Sequence, residues 1–234
     1  MVDRNDEVSK LSEPRTISDW PDSLQKVKGY SKVPSKIHYS SEKDGEKTTE
    51  KITWGFSVPN NVEPIEWFKL MLLDEEDLPD YLRTSDYYKK TKAKIEGLEK
   101  KPYDVVRDYL RCLWTHARKE ILSAIGMRLF ATCPFLVVLS VPVTWKDYAA
   151  ARLAEASRHA GISGSQTTIG IISEPEAAIL ASLRFPKDQV KKLAQDDTIL
   201  VVDAGGGTVD MIAYKVRESQ PRLAVEEGVE GDGM

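Results

Sequence analysis

The chain has 234 residues, of which 41% are hydrophobic and 30% are charged, and its formal net charge is −4 at pH 7. These values are typical of one large or two small globular domains and exclude a wholly disordered chain. The negative net charge argues against nucleic-acid binding, and the sequence has neither a long apolar run for a membrane helix nor an apolar signal core near its start. We therefore expect a cytoplasmic protein without nucleic-acid or membrane partners.

The sequence begins with a polar stretch and continues into a predicted β-hairpin. Residues 1–20 have mixed charges and no hydrophobic period, so we expect them to be disordered or loosely attached. Val33 to Tyr39 and Lys51 to Val58 are predicted to be two paired strands around a charged, glycine-containing turn. Trp54, in the second strand, is expected to pack in the core rather than to bind a ligand.

A helix is predicted over Glu63 to Leu73, because Pro64 suits a first helical turn and the apolar residues that follow recur at helical spacing. Lys69 lies within this predicted helix. The sequence from Asp74 to Asp80 indicates an acidic turn, and that from Tyr81 to Leu98 indicates a charged surface helix with a weak period.

The most regular helical pattern covers Tyr103 to Ile125, where apolar residues recur every three or four positions and core packing is a sufficient explanation. Phe135 to Val141 follows as an uninterrupted apolar strand, of the kind buried between two layers. The spacing of the cysteines and histidines matches neither a disulfide framework nor a metal site, so we assign them no chemistry. These residues are Cys112, Cys133, His38, His116 and His159.

The next segment alternates between helix and strand patterns. Thr144 is a candidate N-cap for a helix over Trp145 to Ala160, and a strand is predicted over Thr167 to Ile172. The order strand, helix, strand predicts parallel pairing with a right-handed crossover. Ser173 and Glu176 then have the spacing of a capping box for another helix.

A glycine-rich hairpin is predicted near the end of the sequence. An apolar strand over Ile199 to Val202 leads to Asp203, three consecutive glycines follow, and Val209 to Val216 is predicted to be the returning strand. The backbone N–H groups of consecutive glycines can bind phosphate oxygens, but nearby carboxylates would repel phosphate unless a divalent cation lay between them. On spacing alone the pattern is equally consistent with a Mg²⁺–nucleotide site and with a tight hairpin whose polar ends face solvent. One more strand is predicted over Arg222 to Glu226.

Three motifs, in the same order, resemble the actin-like ATPases, most closely the seventy-kilodalton heat-shock chaperone family. Asp203 to Asp210, DAGGGTVD, is similar to the second phosphate-binding loop of that family, and Ser173 to Ala178, SEPEAA, to its lobe-connecting segment. Val141-Pro142 before a helix is similar to the preceding strand–proline–helix unit. Three further segments resemble the divergent family A member twelve branch: Trp54 to Phe56, Glu66 to Lys69 and Tyr103 to Trp114.

The resemblance implies an α/β fold of the actin-like ATPase (ribonuclease H-like) type. It implies ATP and Mg²⁺ as cofactors, and client or partner proteins besides the nucleotide. Residues 21–190 would form the first lobe and residues 197–234 the start of the second lobe, after the loosely attached residues 1–20.

The resemblance also assigns roles to individual residues. It implies that Asp203 and, through water, Glu174 lie at the metal, and that Lys69 lies beside the transferred phosphate and the attacking water. The phosphate-binding residues that it implies are Gly205, Gly206, Gly207 and Thr208, with Asp210 supporting the loop. Each assignment has a simpler alternative: Lys69 is a solvated lysine, Glu174 compensates a helix dipole, or Asp210 only fixes the hairpin through backbone hydrogen bonds.

The sequence departs from the family pattern at both ends. No hydrophobic strand with the first phosphate loop, Asp-x-Gly-Thr-Thr, occurs before Trp20, and the sequence stops before the half that supplies the adenosine pocket. Because phosphoryl transfer depends on fixed positioning, we expect a chaperone-like ATPase domain with weak or no activity of its own. The alternatives are a non-catalytic protein-interaction module and a truncated product that retains only the first lobe.

Overall fold

The computed structural model describes residues 15–22, 29–45, 47–182, 193–204, 209–218 and 224–233. Within these ranges the protein has eight β-strands in three sheets and five α-helices, which confirms a mixed α/β class. Residues 1–14, on which most of the predicted N-terminal disorder falls, and the glycine loop at 205–208 lie outside the described residues.

Two compact units make up the chain, and neither is continuous in sequence. The first unit contains Met1–Phe68 and Asp86–Thr132, and the second contains Lys69–Ser85 and Cys133–Met234. The predicted boundary between residues 190 and 197 therefore falls inside the second unit.

The first unit contains an antiparallel sheet of three strands. Strand β1 (Lys36–Asp44) lies between β2 (Lys47–Trp54) and β3 (Ile65–Glu66). The predicted hairpin is confirmed, although its first strand is longer, its second strand begins and ends four residues earlier, and its turn is shorter than expected. The turn includes Gly45, whose φ of 62° lies in the left-handed region that glycine tolerates best. Trp54 is 8% exposed, as the core prediction required.

The predicted helix over Glu63 to Leu73 is wrong. Ile65 instead pairs with Ile37 in the sheet, and only Phe68–Leu72 is helical, as a short 3₁₀ helix. Trp67, between these two elements, has a φ of 64°, which no right-handed helix can include. The side-chain hydroxyl of Thr91 also donates a hydrogen bond to the carbonyl of Glu66 at 2.9 Å, so tertiary contacts stabilise the extended backbone.

The segment after Leu72 contains three short elements instead of a turn and one helix. A 3₁₀ helix covers Glu75–Asp77, α1 covers Asp80–Arg83 and α2 covers Asp86–Gly97. The long helix α3 (Pro102–Thr132) is interrupted at Gly126, which has φ 78° and ψ 161°. The predicted helix from Tyr103 to Ile125 therefore matches the part of α3 that precedes this break.

The core of the first unit forms where α2 and α3 bury apolar side chains with the sheet. Ile37, Ile95 and Val105 are at most 1% exposed. The ring of Tyr109 lies 5.9 Å from that of Trp54 and 5.3 Å from that of Phe68. Aromatic pairs at such distances add to the stabilisation that burial itself supplies.

The second unit contains a parallel pair of strands, β4 (Phe135–Val141) and β5 (Thr167–Ser173), joined by α4 (Asp147–His159). The predicted parallel pairing is confirmed. The prediction that the first strand is buried between two layers is wrong, because Leu136 and Val138 are 69% and 53% exposed. Thr144 is not the helix cap, since the N-cap position of α4 is occupied by Lys146 without a side-chain capping bond.

The rest of the second unit is α5 (Glu174–Ser182) and an antiparallel sheet of three strands. These strands are β6 (Thr198–Ala204), β7 (Val209–Glu218) and β8 (Ala224–Gly233), in that spatial order. The predicted glycine hairpin is thus confirmed in its two strands, and the predicted last strand is present with later bounds. None of the helices in the described ranges is long and apolar enough to cross a membrane.

Candidate functional site

Glu174 lies where the parallel strand β5 ends and α5 begins. Ser173 caps this helix as predicted, because its hydroxyl oxygen accepts a hydrogen bond from the backbone N–H of Glu176 at 3.2 Å. The cap fixes the direction in which the chain leaves the strand. Polar groups at the carboxyl ends of parallel strands are well placed for binding and catalysis.

Lys69 and Glu174 form an ion pair inside the second unit, although they are 105 positions apart in sequence. The side chain of Glu174 is 20% exposed and that of Lys69 is 39% exposed, so solvent reaches both groups. The Lys69 ammonium also lies 5.4 Å from the centre of the Trp145 ring. A cation over an indole face is attracted by the ring quadrupole, and Trp145 therefore helps to orient the lysine.

The segment that carries Lys69 is held to α4 by hydrogen bonds. Arg152 donates one to the carbonyl of Leu72 and another to the carboxylate of Asp74, both at 2.8 Å. The hydroxyl of Tyr148 accepts a hydrogen bond from the backbone N–H of Asp74 at 2.8 Å and donates one to Asp77 at 2.6 Å. These bonds restrict the position of the backbone directly after the lysine.

Asp77 lies in the segment after Lys69 and accepts hydrogen bonds from residues at the start of α4. Hydrogen bonds from Lys146 and then from Tyr148 lower the pKa of the Asp77 carboxyl. The same Asp77 carboxylate raises the pKa of Lys146 through that hydrogen bond. Both groups are therefore charged at neutral pH, and the contact keeps the segment after Lys69 beside α4.

Asp203 lies near the end of β6, next to the glycine loop. It is on the same face of the strand as Ile199 and Val201, which pack against a core cluster that includes Ile179 of α5. The alternate residues Leu200 and Val202 are 63% and 53% exposed. Asp203 thus projects from the side of the hairpin that α5 covers.

The backbone of Asp203 pairs in register with that of Asp210 across the hairpin. No residue within the described ranges makes a hydrogen bond or ion pair with the Asp203 carboxylate. The donor set of carboxylate oxygens suits Mg²⁺.

Glu174 at the start of α5 and Asp203 near the end of β6 belong to neighbouring elements of the second unit, because Ile199 and Val201 of β6 pack against a core cluster that contains Ile179 of α5. Burial raises the pKa of the Tyr214 hydroxyl in the same cluster. The joint role of Asp203 and Glu174 at a metal ion stays a prediction.

The remaining predicted residues cannot be placed in the same detail. Gly205, Gly206, Gly207 and Thr208 lie outside the described residues, and so does the side chain of Asp210. Among the residues that are described, no group of three His, Cys, Asp or Glu side chains could hold a metal ion. The structure therefore brings together the predicted Lys69 and Glu174 and leaves their relation to the glycine loop as a prediction.

Sequence reasoning missed the residues that support Lys69. The ring face of Trp145, just before α4, contacts the Lys69 ammonium, and Tyr148 and Arg152 in the first turns of α4 bind the segment after Lys69. Their signal in the sequence is two aromatic residues and an arginine just before and within the first turns of one helix. A search against models of known protein families finds no match for this chain.

Proposed function

We propose that the chain is a divergent actin-like ATPase domain, resembling the seventy-kilodalton heat-shock chaperones, that binds ATP with Mg²⁺ and hydrolyses it weakly. The observation that supports this proposal is the contact between Lys69 and Glu174. Both residues were selected from the sequence for roles at one phosphate. They are distant in sequence, and a chance contact between them is uncommon among so many alternative pairs.

The pair has the chemistry that phosphoryl transfer to water requires. A lysine ammonium stabilises negative charge that develops on the transferred phosphoryl group. A carboxylate beside it orients the attacking water and accepts its proton. Because the side chain of Glu174 is 20% exposed, a water molecule can reach the Glu174 carboxylate while the ion pair with Lys69 holds that carboxylate in place.

Asp203 is the residue that would hold Mg²⁺, with Glu174 acting through water. The ion would supply the positive charge that neutralises the β- and γ-phosphate oxygens. Asp203 meets one requirement of this role, since its carboxylate has no partner among the described residues.

A second candidate function is protein binding without catalysis. The observation that favours it is the exposure of four large apolar strand residues in the second unit, all at least 53% exposed. Exposed apolar patches on folded proteins frequently mark interaction surfaces. The four residues are Leu136, Val138, Leu200 and Val202.

Calorimetric titration with ATP, with and without Mg²⁺, tests the proposal directly. We expect Mg²⁺-dependent binding that Asp203→Asn weakens about tenfold or more, because a charge-assisted contact is lost. Glu174→Gln is expected to leave ATP binding within about threefold and to abolish phosphate release, since it removes a proton acceptor while keeping the shape of the side chain. Lys69→Met is expected to reduce phosphate release most strongly at saturating ATP.

Matched controls come from an ion pair elsewhere on the same hairpin. Lys215 and Asp196 lie 2.9 Å apart and are 42% and 65% exposed. Lys215→Met removes one positive charge, as Lys69→Met does, and Asp196→Asn removes one negative charge, as Asp203→Asn does. Both control variants should leave ATP binding unchanged. Absence of any Mg²⁺–ATP binding by the folded chain would contradict the proposal, and would favour protein binding without catalysis.

A further inference from the structure

The first unit contains a cavity of about 390 Å³, widely open to solvent, between strand β2 and helix α3. This volume lies in the range of small-molecule sites. The cavity is separate from the proposed ATP site, because Lys69, Glu174 and Asp203 all belong to the second unit. Its lining residues are Pro21, Ile52, Trp54, Arg111, Cys112, Thr115, His116 and Lys119.

One wall of the cavity is apolar and is held by defined contacts. The indole N–H of Trp20 donates a hydrogen bond to the carbonyl of Tyr30 at 2.8 Å, and the hydroxyl of Ser57 donates one to the carbonyl of Pro21 at 3.0 Å. The rings of Trp20 and Trp54 pack edge to face, with centroids 6.4 Å apart. A wall fixed in this way loses little conformational entropy when a ligand binds.

His116 packs into this aromatic wall. Its ring lies 5.3 Å from that of Trp20 and 6.3 Å from that of Trp54. Its buried Nε2 atom has no hydrogen-bond partner within the described residues. This nitrogen has almost no accessible surface, so His116 contributes its ring, and not Nε2, to the apolar wall.

The opposite wall is one face of α3, and it is cationic. Arg111, Thr115 and Lys119 recur every four residues, so their side chains lie on the same side of the helix. Lys119 makes no ion pair or hydrogen bond with any described residue. Among the described residues no carboxylate lines the cavity, although Arg111 contacts Asp108 beside it at 3.1 Å.

We propose that this cavity binds a small aromatic carboxylate. The flat apolar part of such a ligand would pack against Trp54 and Ile52, and its carboxylate would lie at Lys119 and Arg111. The Asp108 carboxylate is shared among Arg111, Arg107 and Lys100, at 3.1, 3.0 and 3.7 Å, so one negative charge does not neutralise these three cations. A neutral aromatic ligand would forgo the ionic contact, and an aromatic cation would be repelled.

The test uses 2-naphthoate as the probe, with neutral 2-naphthamide and cationic 2-naphthylmethylamine as its analogues. Binding to the full chain is measured by ligand-observed NMR. We expect naphthoate to bind, and Lys119→Gln to weaken it about tenfold, because a charge-assisted contact is lost. Lys89→Gln on α2 is the matched control, since Lys89 is exposed and lies outside the cavity lining.

The two cysteines report independently on where the probe binds. Cys112 lines the cavity and burial raises the pKa of its thiol, whereas Cys133 is exposed and lies outside the cavity lining. Alkylation of both by iodoacetamide is followed by mass spectrometry in one sample. Naphthoate should slow the alkylation of Cys112 and leave that of Cys133 unchanged.

Equal binding of naphthoate and naphthamide would overturn the proposal, as would equal protection of both cysteines or unchanged binding in Lys119→Gln. Ile52→Trp, which fills the cavity, should abolish binding. Should that variant not fold, Lys119→Gln and the cysteine comparison still decide the matter. ATP titration is a separate experiment, so failure here is distinguishable from failure of the proposed ATPase function.

Discussion

Tyr39 and Asp108 meet in the interior of the first unit. The Tyr39 hydroxyl donates a hydrogen bond to the Asp108 carboxylate at 3.1 Å, and the two residues are 8% and 2% exposed. Arg107 and Arg111 also donate hydrogen bonds to this carboxylate. Burial, and then the nearby charge of Asp108, raise the pKa of the Tyr39 hydroxyl. Tyr39 must therefore stay protonated for this part of the core to be stable.

The raised pKa predicts a loss of stability in alkali. As the pH rises above about 10, tyrosine in the unfolded chain loses its proton while folded Tyr39 retains it, so the free energy of unfolding falls by about 1.4 kcal/mol per pH unit. Tyr39→Phe should lower the free energy of unfolding by about 1 kcal/mol at pH 8, and should make the decrease of that free energy above pH 10 less steep. Urea denaturation at pH 8 and pH 11 measures both effects. Tyr81→Phe, at a residue 53% exposed, is the control, and an equal change of slope in that variant would refute the argument.

Individual site residues were predicted unevenly. Lys69 and Glu174 could be chosen from the sequence because the resemblance concerned their motifs, and the structure places them in contact. Trp145 could not be chosen, because an aromatic residue before a helix has many packing explanations. His116 received no chemistry for a similar reason: its contacts with two tryptophans depend on the fold and not on any local spacing.

At the scale of elements, the junction of β5 and α5 determines where Glu174 lies. Ser173→Ala removes the side-chain cap and should lower the free energy of unfolding by about 1 kcal/mol. Ser182→Ala on the same helix is the control, because Ser182 only donates a hydrogen bond to the carbonyl of Ala178. That change should stay within about 0.5 kcal/mol. Urea denaturation followed by circular dichroism gives the comparison, and equal losses in both variants would exclude a special role for the cap.

Elements with strong local signals were predicted well. The apolar run of β4 and the two strands of the glycine hairpin have nearly the expected bounds, since β-branched runs next to glycine or proline leave few alternatives. The segment from Glu63 to Leu73 was predicted wrongly, because pairing with β1 and the hydrogen bond from Thr91 outweigh the helical spacing of its apolar residues. Local patterns do not contain such long-range contacts.

At the scale of the whole molecule, the apolar strand faces of the second unit are the least expected feature. Leu136 and Leu200 are 69% and 63% exposed. Replacing both with Thr keeps side chains that suit strands and removes apolar surface, so the double variant should bind about half as much of the neutral dye Nile red. Dye fluorescence at equal protein concentration measures this. Leu98→Thr, at a residue of the first unit that is 39% exposed, is the control, and undiminished fluorescence in a folded double variant would contradict the prediction.

The division into units could not be predicted from the sequence. Composition changes little across Ser85 and Thr132, where the chain passes between units. The reason for the division is visible only in the partners of the segment from Lys69 to Ser85, which are residues such as Tyr148 and Arg152. A local sequence pattern contains no information on contacts between residues so far apart in sequence.

The interleaving of the two units bears on biosynthesis. Ribosomes release a nascent chain from its N-terminus, so Lys69–Ser85 emerges well before Tyr148, Arg152 and Glu174 have been translated. During that interval the segment is a tether between two parts of the first unit, which is complete once Thr132 has left the exit tunnel. Lys69 can meet Glu174 only after Glu174 has left the exit tunnel, so Lys69–Ser85 is accessible to a nascent-chain chaperone throughout that interval.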